Sequence, residues 1–244
     1  MLYSNTSLLK GVQTLILVAV LLAITPQMAS AQDDSAIQHL SLKQLIQQSA
    51  TGRPLYSGSS VTTAAAPLGL SLVTMALKLS SATEKDPTRK RQADVLIGRL
   101  QRAADSLFYY ANEEEKAFTR FLGVRLLPDS TATLKKTKEA LYQRALREST
   151  RVPLQSARLV ASSLATVRSA LPYCRMALLV DMGAGVHLLQ ASLEALLLHA
   201  QSNTILMLKT DRTRYDKERL ALQGDGRKTS ILVLQSIQSR LNGQ

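Results

Sequence analysis

The chain has 244 residues, 45% of them hydrophobic and 20% charged, which is the composition of a globular protein and enough length for one large domain or two small ones. A single cysteine, Cys174, excludes an intrachain disulfide and a cysteine-based zinc cluster, and three scattered histidines (His39, His187, His199) make a poor metal centre. No Trp, 4% aromatic residues and only 11 glycines argue against an all-β barrel or sandwich, while the net charge of +12 admits an anionic partner or a solvated basic surface.

In chain order, residues 1–31 read as a secretory signal. Lys10 and the amino terminus supply the positive region, residues 15–24 are an unbroken apolar run, Pro26 breaks it, and Ala29-Ser30-Ala31 is a small-x-small cleavage site. The run is short for a bilayer span, which needs ~20 apolar residues. The expectation is export to a periplasmic or extracellular location, the alternative being an anchor formed by an uncleaved N-terminal helix. Residues 32–244 then form a single domain.

Ser41-Leu42-Lys43-Gln44 is a capping box, and Gly52 with Pro54 ends the helix that it opens. After a small-residue turn, residues 61–79 carry Ala, Leu, Val, Met and Thr at the density of a mostly buried helix. Asp86-Pro87 is an N-cap followed by a first-turn proline, opening an amphipathic helix to about Gly123. Asp129 and Ser130 open another to about Arg151, and Val152-Pro153 is read as the start of the next, ending near Leu171-Pro172. Residues 178–209 are apolar almost all round and predict the central helix. A charged stretch, a turn at Gln223-Gly224-Asp225-Gly226 and a last helix over 229–241 complete the chain. No stretch alternates as a strand does. The fold expected is all-α, an up-and-down bundle of about six to seven helices with short links between antiparallel neighbours.

Asp181 is the sharpest single candidate for chemistry. It sits among Leu178, Leu179, Val180, Met182 and Gly183, where a carboxylate is costly to ionise without a partner and becomes a candidate acid or base. Its structural alternative is a helix N-terminal acid that accepts backbone amides. Gly183 and Gly185 beside it either let helices approach closely or leave room for a flat ligand. Ser57-Gly58-Ser59-Ser60 precedes an apolar helix and has the amides and hydroxyls to cradle a carboxylate or phosphate, although an ordinary capped turn looks the same. There is no nucleophile elbow, dinucleotide fingerprint or phosphate loop.

Over about residues 40–209 the chain resembles the cyclodeaminase/cyclohydrolase family. The opening Ser41-Leu42-Lys43-Gln44-Leu45 is followed by Pro54-Leu55-Tyr56-Ser57-Gly58-Ser59-Ser60-Val61, where the family has P-x-P-G-G-G-S-V. Glu114 to Phe118 is similar to its D-x-x-A-F, Arg125-Leu126-Leu127-Pro128 to its R-L-P, and Val152-Pro153-Leu154 to its V-P-L. Asp181-Met182-Gly183 falls on S-D-x-G, and the chain then runs ungapped to Asn203 against the family's N-V-R-I-N helix. The resemblance implies an all-α homodimer with sites near subunit contacts. It also implies a tetrahydrofolate derivative as substrate, polyglutamylated forms included, with no metal or other cofactor, no nucleic acid and no membrane beyond the signal segment. The implied reactions are closure of formimino-tetrahydrofolate with loss of ammonia, or hydration of the methenyl bridge. By carry-over Asp181 is the catalytic acid/base, Ser57, Gly58, Ser59 and Ser60 hold the substrate with Gly183, and Asn203 hydrogen-bonds its polar atoms. Asp181 and Asn203 are 22 residues apart, about 33 Å along a straight helix, so within one helix they serve different ends of a ligand unless an antiparallel partner brings one to the other.

Departures from the family pattern carry a second hypothesis. Serines replace two of the three glycines, Val180 stands before Asp181, and His199 and Gln201 replace the first Asn and the Arg of the late motif. An apolar frame kept while polar positions change fits a catalytically silent exported bundle that binds an anionic ligand or a protein partner.

Overall fold

The computed structural model describes residues 36–51 and 56–243. The signal-like segment 1–31 and the Gly52 and Pro54 stop lie outside the described residues. Among those described there are six α-helices and no strand: α1 (Leu42–Ser49), α2 (Gly58–Ser81), α3 (Pro87–Arg125), α4 (Ala132–Ala170), α5 (Leu179–Thr204) and α6 (Lys209–Leu241).

The helix starts follow from local chemistry. The Ser41 side chain accepts from the Gln44 amide while the Gln44 side chain accepts from the Ser41 amide, a reciprocal capping box. Ser57 caps α2 through the Ser60 amide, Asp86 caps α3 through the amides of Thr88 and Arg89, and Thr131 caps α4 through Leu134.

Helices α2, α3, α4 and α5 pack as a ring, each against the next and α5 back on α2, and α6 lies across α4 and α5. Direction alternates along the chain. Gly58 at the start of α2 lies beside His199 near the end of α5, and Gly69 lies beside Gly185, so α2 and α5 run antiparallel. The core is a single cluster that includes Leu70, Leu77, Leu100, Leu107, Leu146, Leu164, Leu189 and Leu193, all but enclosed. A smaller cluster of Ile37, Tyr56, Ala64 and Ala111 docks the N-terminal segment.

Helices α2 and α5 touch through their backbones. A Cβ on Gly185 would lie 2.6 Å from the Gly69 carbonyl oxygen, and one on Gly69 would lie 2.8 Å from the Gly185 carbonyl oxygen. Gly185 is thus a close-packing point. Gly183 faces α6 instead, its Cβ position 3.7 Å from Ile237.

Two expected breaks are absent. Pro153 lies inside α4, which runs unbroken over 39 residues, and does not begin a new helix. The stretch from Gln223 to Gly226 is helical, because Gly226 receives the side chain of Leu193 where a Cβ would collide with it. Arg227 pairs with Glu194 and Arg158 with Glu218, fastening α6 to α5 and α4. At its far end Arg240 donates to the carbonyls of Leu171 and Cys174, both at 2.9 Å.

Candidate functional site

One end of the α2–α5 ring holds a cavity of about 130 Å³. The α2 start gives it Ser57, Gly58 and Ser59; α3 gives Glu114, Phe118 and Phe121; α4 gives Ser149; and α5 gives His199, Ser202 and Asn203.

Glu114 is the unusual residue. It is only 2% exposed. One carboxyl oxygen accepts from the Ser59 hydroxyl at 2.9 Å, and the other is buried with no hydrogen-bond partner. Burial raises its pKa to about 8, against a smaller lowering by the Ser59 hydrogen bond. At neutral pH the group is therefore mostly a neutral carboxylic acid with a proton to give. Its neighbour Glu115 turns toward the same loop: its Oε2 accepts from the Ser57 amide at 3.0 Å and its Oε1 from the Thr119 hydroxyl at 3.4 Å. Two adjacent acids on α3 thus hold the small-residue turn in place. Burial also pushes Glu115 upward.

His199 is half-buried, and burial alone lowers its pKa. Its ring lies against Gly58, whose Cβ would sit 2.9 Å from His199 Cε1. A side chain at position 58 would press on this ring and shift it, and with its pKa lowered the ring is neutral at neutral pH. A neutral acid and a neutral base therefore line one small cavity, the arrangement by which two titratable groups take opposite parts in proton transfer.

Asn203 is positioned by a proline. Pro153 has no N–H, so the carbonyl of Ser149, four residues back, receives no helical hydrogen bond from it. Asn203 Nδ2 donates to that carbonyl at 2.9 Å. The Val152-Pro153-Leu154 motif and Asn203 are two halves of one contact, and Asn203 Oδ1 stays available as an acceptor.

Of the residues expected from the sequence, Ser57, Gly58, Ser59 and Asn203 meet in this cavity. Ser60 does not line it: its hydroxyl is enclosed within the turn, donating to the Ser57 carbonyl at 2.8 Å. Asp181 and Gly183 lie at the opposite end of α5. Asp181 is the third residue of α5, partly exposed, with Leu178 as the cap, an ordinary place for an acid beside a helix N-terminus. Glu114 entered the sequence reading only as part of the D-x-x-A-F likeness. A signal was available: Leu107, Ala111, Glu114, Phe118 and Phe121 recur at four and three, so Glu114 occupies a core slot on an apolar stripe.

The fold and cavity define an antiparallel helical bundle with a buried acid and an imidazole at one end of its central ring. The family model described as formiminotransferase-cyclodeaminase matches residues 41–220, and the chain belongs to that family. The fold is similar to the crystal structure of formiminotetrahydrofolate cyclodeaminase from Thermotoga maritima. That match has a TM-score of 0.71 and 16% identity, and covers 85% of this chain and 98% of that one. A search of curated proteins finds no match.

Proposed function

We propose that this chain binds a reduced folate with its one-carbon bridge at the Ser57–Asn203 cavity, and that Glu114 moves the proton on which the reaction depends. The observation that carries the reading is the buried Glu114 carboxyl, protonated at neutral pH and with one oxygen unpartnered. In the cyclodeaminase reaction, N10 attacks the formimino carbon and the amino group leaves as ammonia, and a neutral acid must protonate that leaving nitrogen. In the cyclohydrolase reaction, water adds to the methenyl carbon with loss of one proton. A ring C–N bond then breaks as the carbinol hydroxyl gives up its proton to become the formyl oxygen and a proton is delivered to the departing nitrogen. Neutral His199 takes the proton from water or from N10, and Glu114 supplies the proton to the nitrogen that leaves. Phe118 and Phe121 give a flat ring an apolar wall, and Asn203 Oδ1 accepts from a ring N–H.

The test is the ultraviolet absorbance of methenyl-tetrahydrofolate, with ammonia release from formimino-tetrahydrofolate as the second assay. Turnover above buffer that is lost in Glu114→Gln supports the reading. Binding without turnover of either compound moves the chain to the silent-bundle alternative, and absence of binding removes folate altogether. Export is proposed on the pattern of residues 1–31. A reporter fused after Ala31 should be active outside the cytoplasm, and an inactive, retained reporter would overturn that.

A further inference from the structure

A second hollow, a surface groove of about 400 Å³, lies between the first turns of α3 and the last turn of α4. Arg91, Val95, Leu96 and Arg99 of α3 line it, with Ser169 of α4 and Tyr173 in the short link that follows. Val95 and Glu114 are 19 residues apart on α3, about 28 Å, so the groove lies toward the opposite end of the bundle from the Glu114 cavity. Its volume is within the ~300–1,000 Å³ of small-molecule sites.

The aromatic wall of the groove is held in place. The Tyr173 hydroxyl donates to Gln92 Oε1 at 2.9 Å, and the Arg89 guanidinium lies over the ring, 5.2 Å from its centroid. Arg89 also donates to the Pro172 carbonyl at 2.9 Å, while Arg240 takes the carbonyls of Leu171 and Cys174 on either side. The link that carries the ring is thus tied to both α3 and α6, and the wall stands ready before any ligand arrives.

The charge of the groove is unbalanced. Arg91, Val95 and Arg99 follow one another at four-residue steps, so the two arginines flank Val95 on one ridge of α3 and both reach a ligand seated over it. Val95 is 52% exposed. Among the described residues neither arginine has an ion-pair or hydrogen-bond partner. No acid stands by to neutralise them. Between Pro87 and Ala104 the one acid is Asp94, which accepts from Ser81 of α2 at 2.7 Å, and residues 149–180 contain none. Glu84, nearby in the chain, is paired with Arg89. A carboxylate would balance one of the two guanidinium groups. A phosphate monoester carries about −1.5 to −2 and three acceptor oxygens, which matches two guanidinium forks. Leu96 and the Tyr173 ring then offer apolar surface to whatever the phosphate is attached to. We propose that this groove binds a soluble phosphate monoester with a flat apolar body, its phosphate between Arg91 and Arg99 and its body against Leu96 and Tyr173.

The test is titration calorimetry on the purified chain with 1-naphthyl phosphate, beside 1-naphthoate and inorganic phosphate. The ester should bind at one site and ~10-fold or more tighter than either comparison compound, because each lacks half of what the groove recognises. Arg91→Gln and Arg99→Gln should each weaken binding by ~10-fold or more. Lys136→Gln removes the same charge from an exposed position elsewhere on α4 and should leave the affinity unchanged. Val95→Glu sets a carboxylate one turn from both arginines. It should abolish binding while the thermal midpoint holds or rises, which separates loss of the site from loss of the fold. Equal weakening by Lys136→Gln, or equal affinity for a tetraglutamate peptide, would reduce the groove to general charge attraction and overturn the proposal. Inorganic phosphate held as tightly as the ester would overturn the apolar half. Sedimentation with phosphatidic acid vesicles that depends on Arg91 and Arg99, without binding of the soluble ester, would overturn a soluble ligand as the occupant.

Discussion

Glu114 stands where the periodicity of α3 calls for a leucine, and the consequences are calculable. Its folded pKa of about 8 lies above the unfolded value near 4.5, so between those limits the unfolded chain sheds a proton that the folded chain keeps. Stability should therefore fall as pH rises from about 4.5 to 8, by on the order of 5 kcal/mol. Glu114→Gln should remove most of that slope and raise the midpoint of urea unfolding at pH 7, while lowering turnover ~100-fold or more. A variant that loses both activity and stability would count against an acid held under strain for function. Turnover that uses Glu114 as acid should decline above pH 8, measured as kcat against pH. His199 works in the other direction: its pKa is lowered by burial, so its share of stability is full above the unfolded value of 6.5 and is lost as pH falls below it toward the lowered folded value. The acid was hard to read from sequence because Glu113, Glu115 and Lys116 surround it and make the segment resemble a solvated face.

At the scale of elements, helix starts were legible because a cap is a local event. Ser41 and Asp86 do what their side chains do in any short peptide. Helix interiors were less legible at Pro153 and Gly226, where packing overrides a local breaker, and at Gly224, which is carried along in α6 with nothing packed on it. Pro153 forfeits a hydrogen bond, yet Asn203 takes up the released carbonyl. Asn203→Ala should cost about 1–3 kcal/mol in thermal or urea unfolding by leaving that carbonyl short of a donor. The glycines divide by what surrounds them. Gly185→Ala would press a methyl onto the α2 backbone and should cost about 1–3 kcal/mol. Gly224→Ala meets nothing within 4 Å in the middle of α6 and should stabilise by about 0.5–1 kcal/mol. Unfolding midpoints that put the two in the other order would contradict the backbone contact of α2 with α5.

At the scale of the whole molecule, the all-α bundle was legible because it follows from apolar spacing and short links, both written locally. The site was only half legible. It draws side chains from α2, α3, α4 and α5, and no spacing along one helix reveals which residues meet. Ser57, Gly58, Ser59 and Asn203 were reached through a likeness between motifs, whereas Asp181 lies at the other end of the rod. Under the folate proposal, the net charge of +12 suits a polyglutamate tail. Affinity for a polyglutamylated folate over a monoglutamylated one should fall as ionic strength rises, measured by titration calorimetry, and a preference indifferent to salt would exclude that role.

The missing rung at Pro153 also gives α4 a bending point level with the cavity wall. A bulkier ligand need not push the whole rod aside. The half of α4 ahead of Ser149 would move together with the link that Gln143 holds at Leu206 and Leu208, while the half after Pro153 stays on α6 through Arg158 and Glu218. Girth, more than length, is then the dimension in which this scaffold can be retuned.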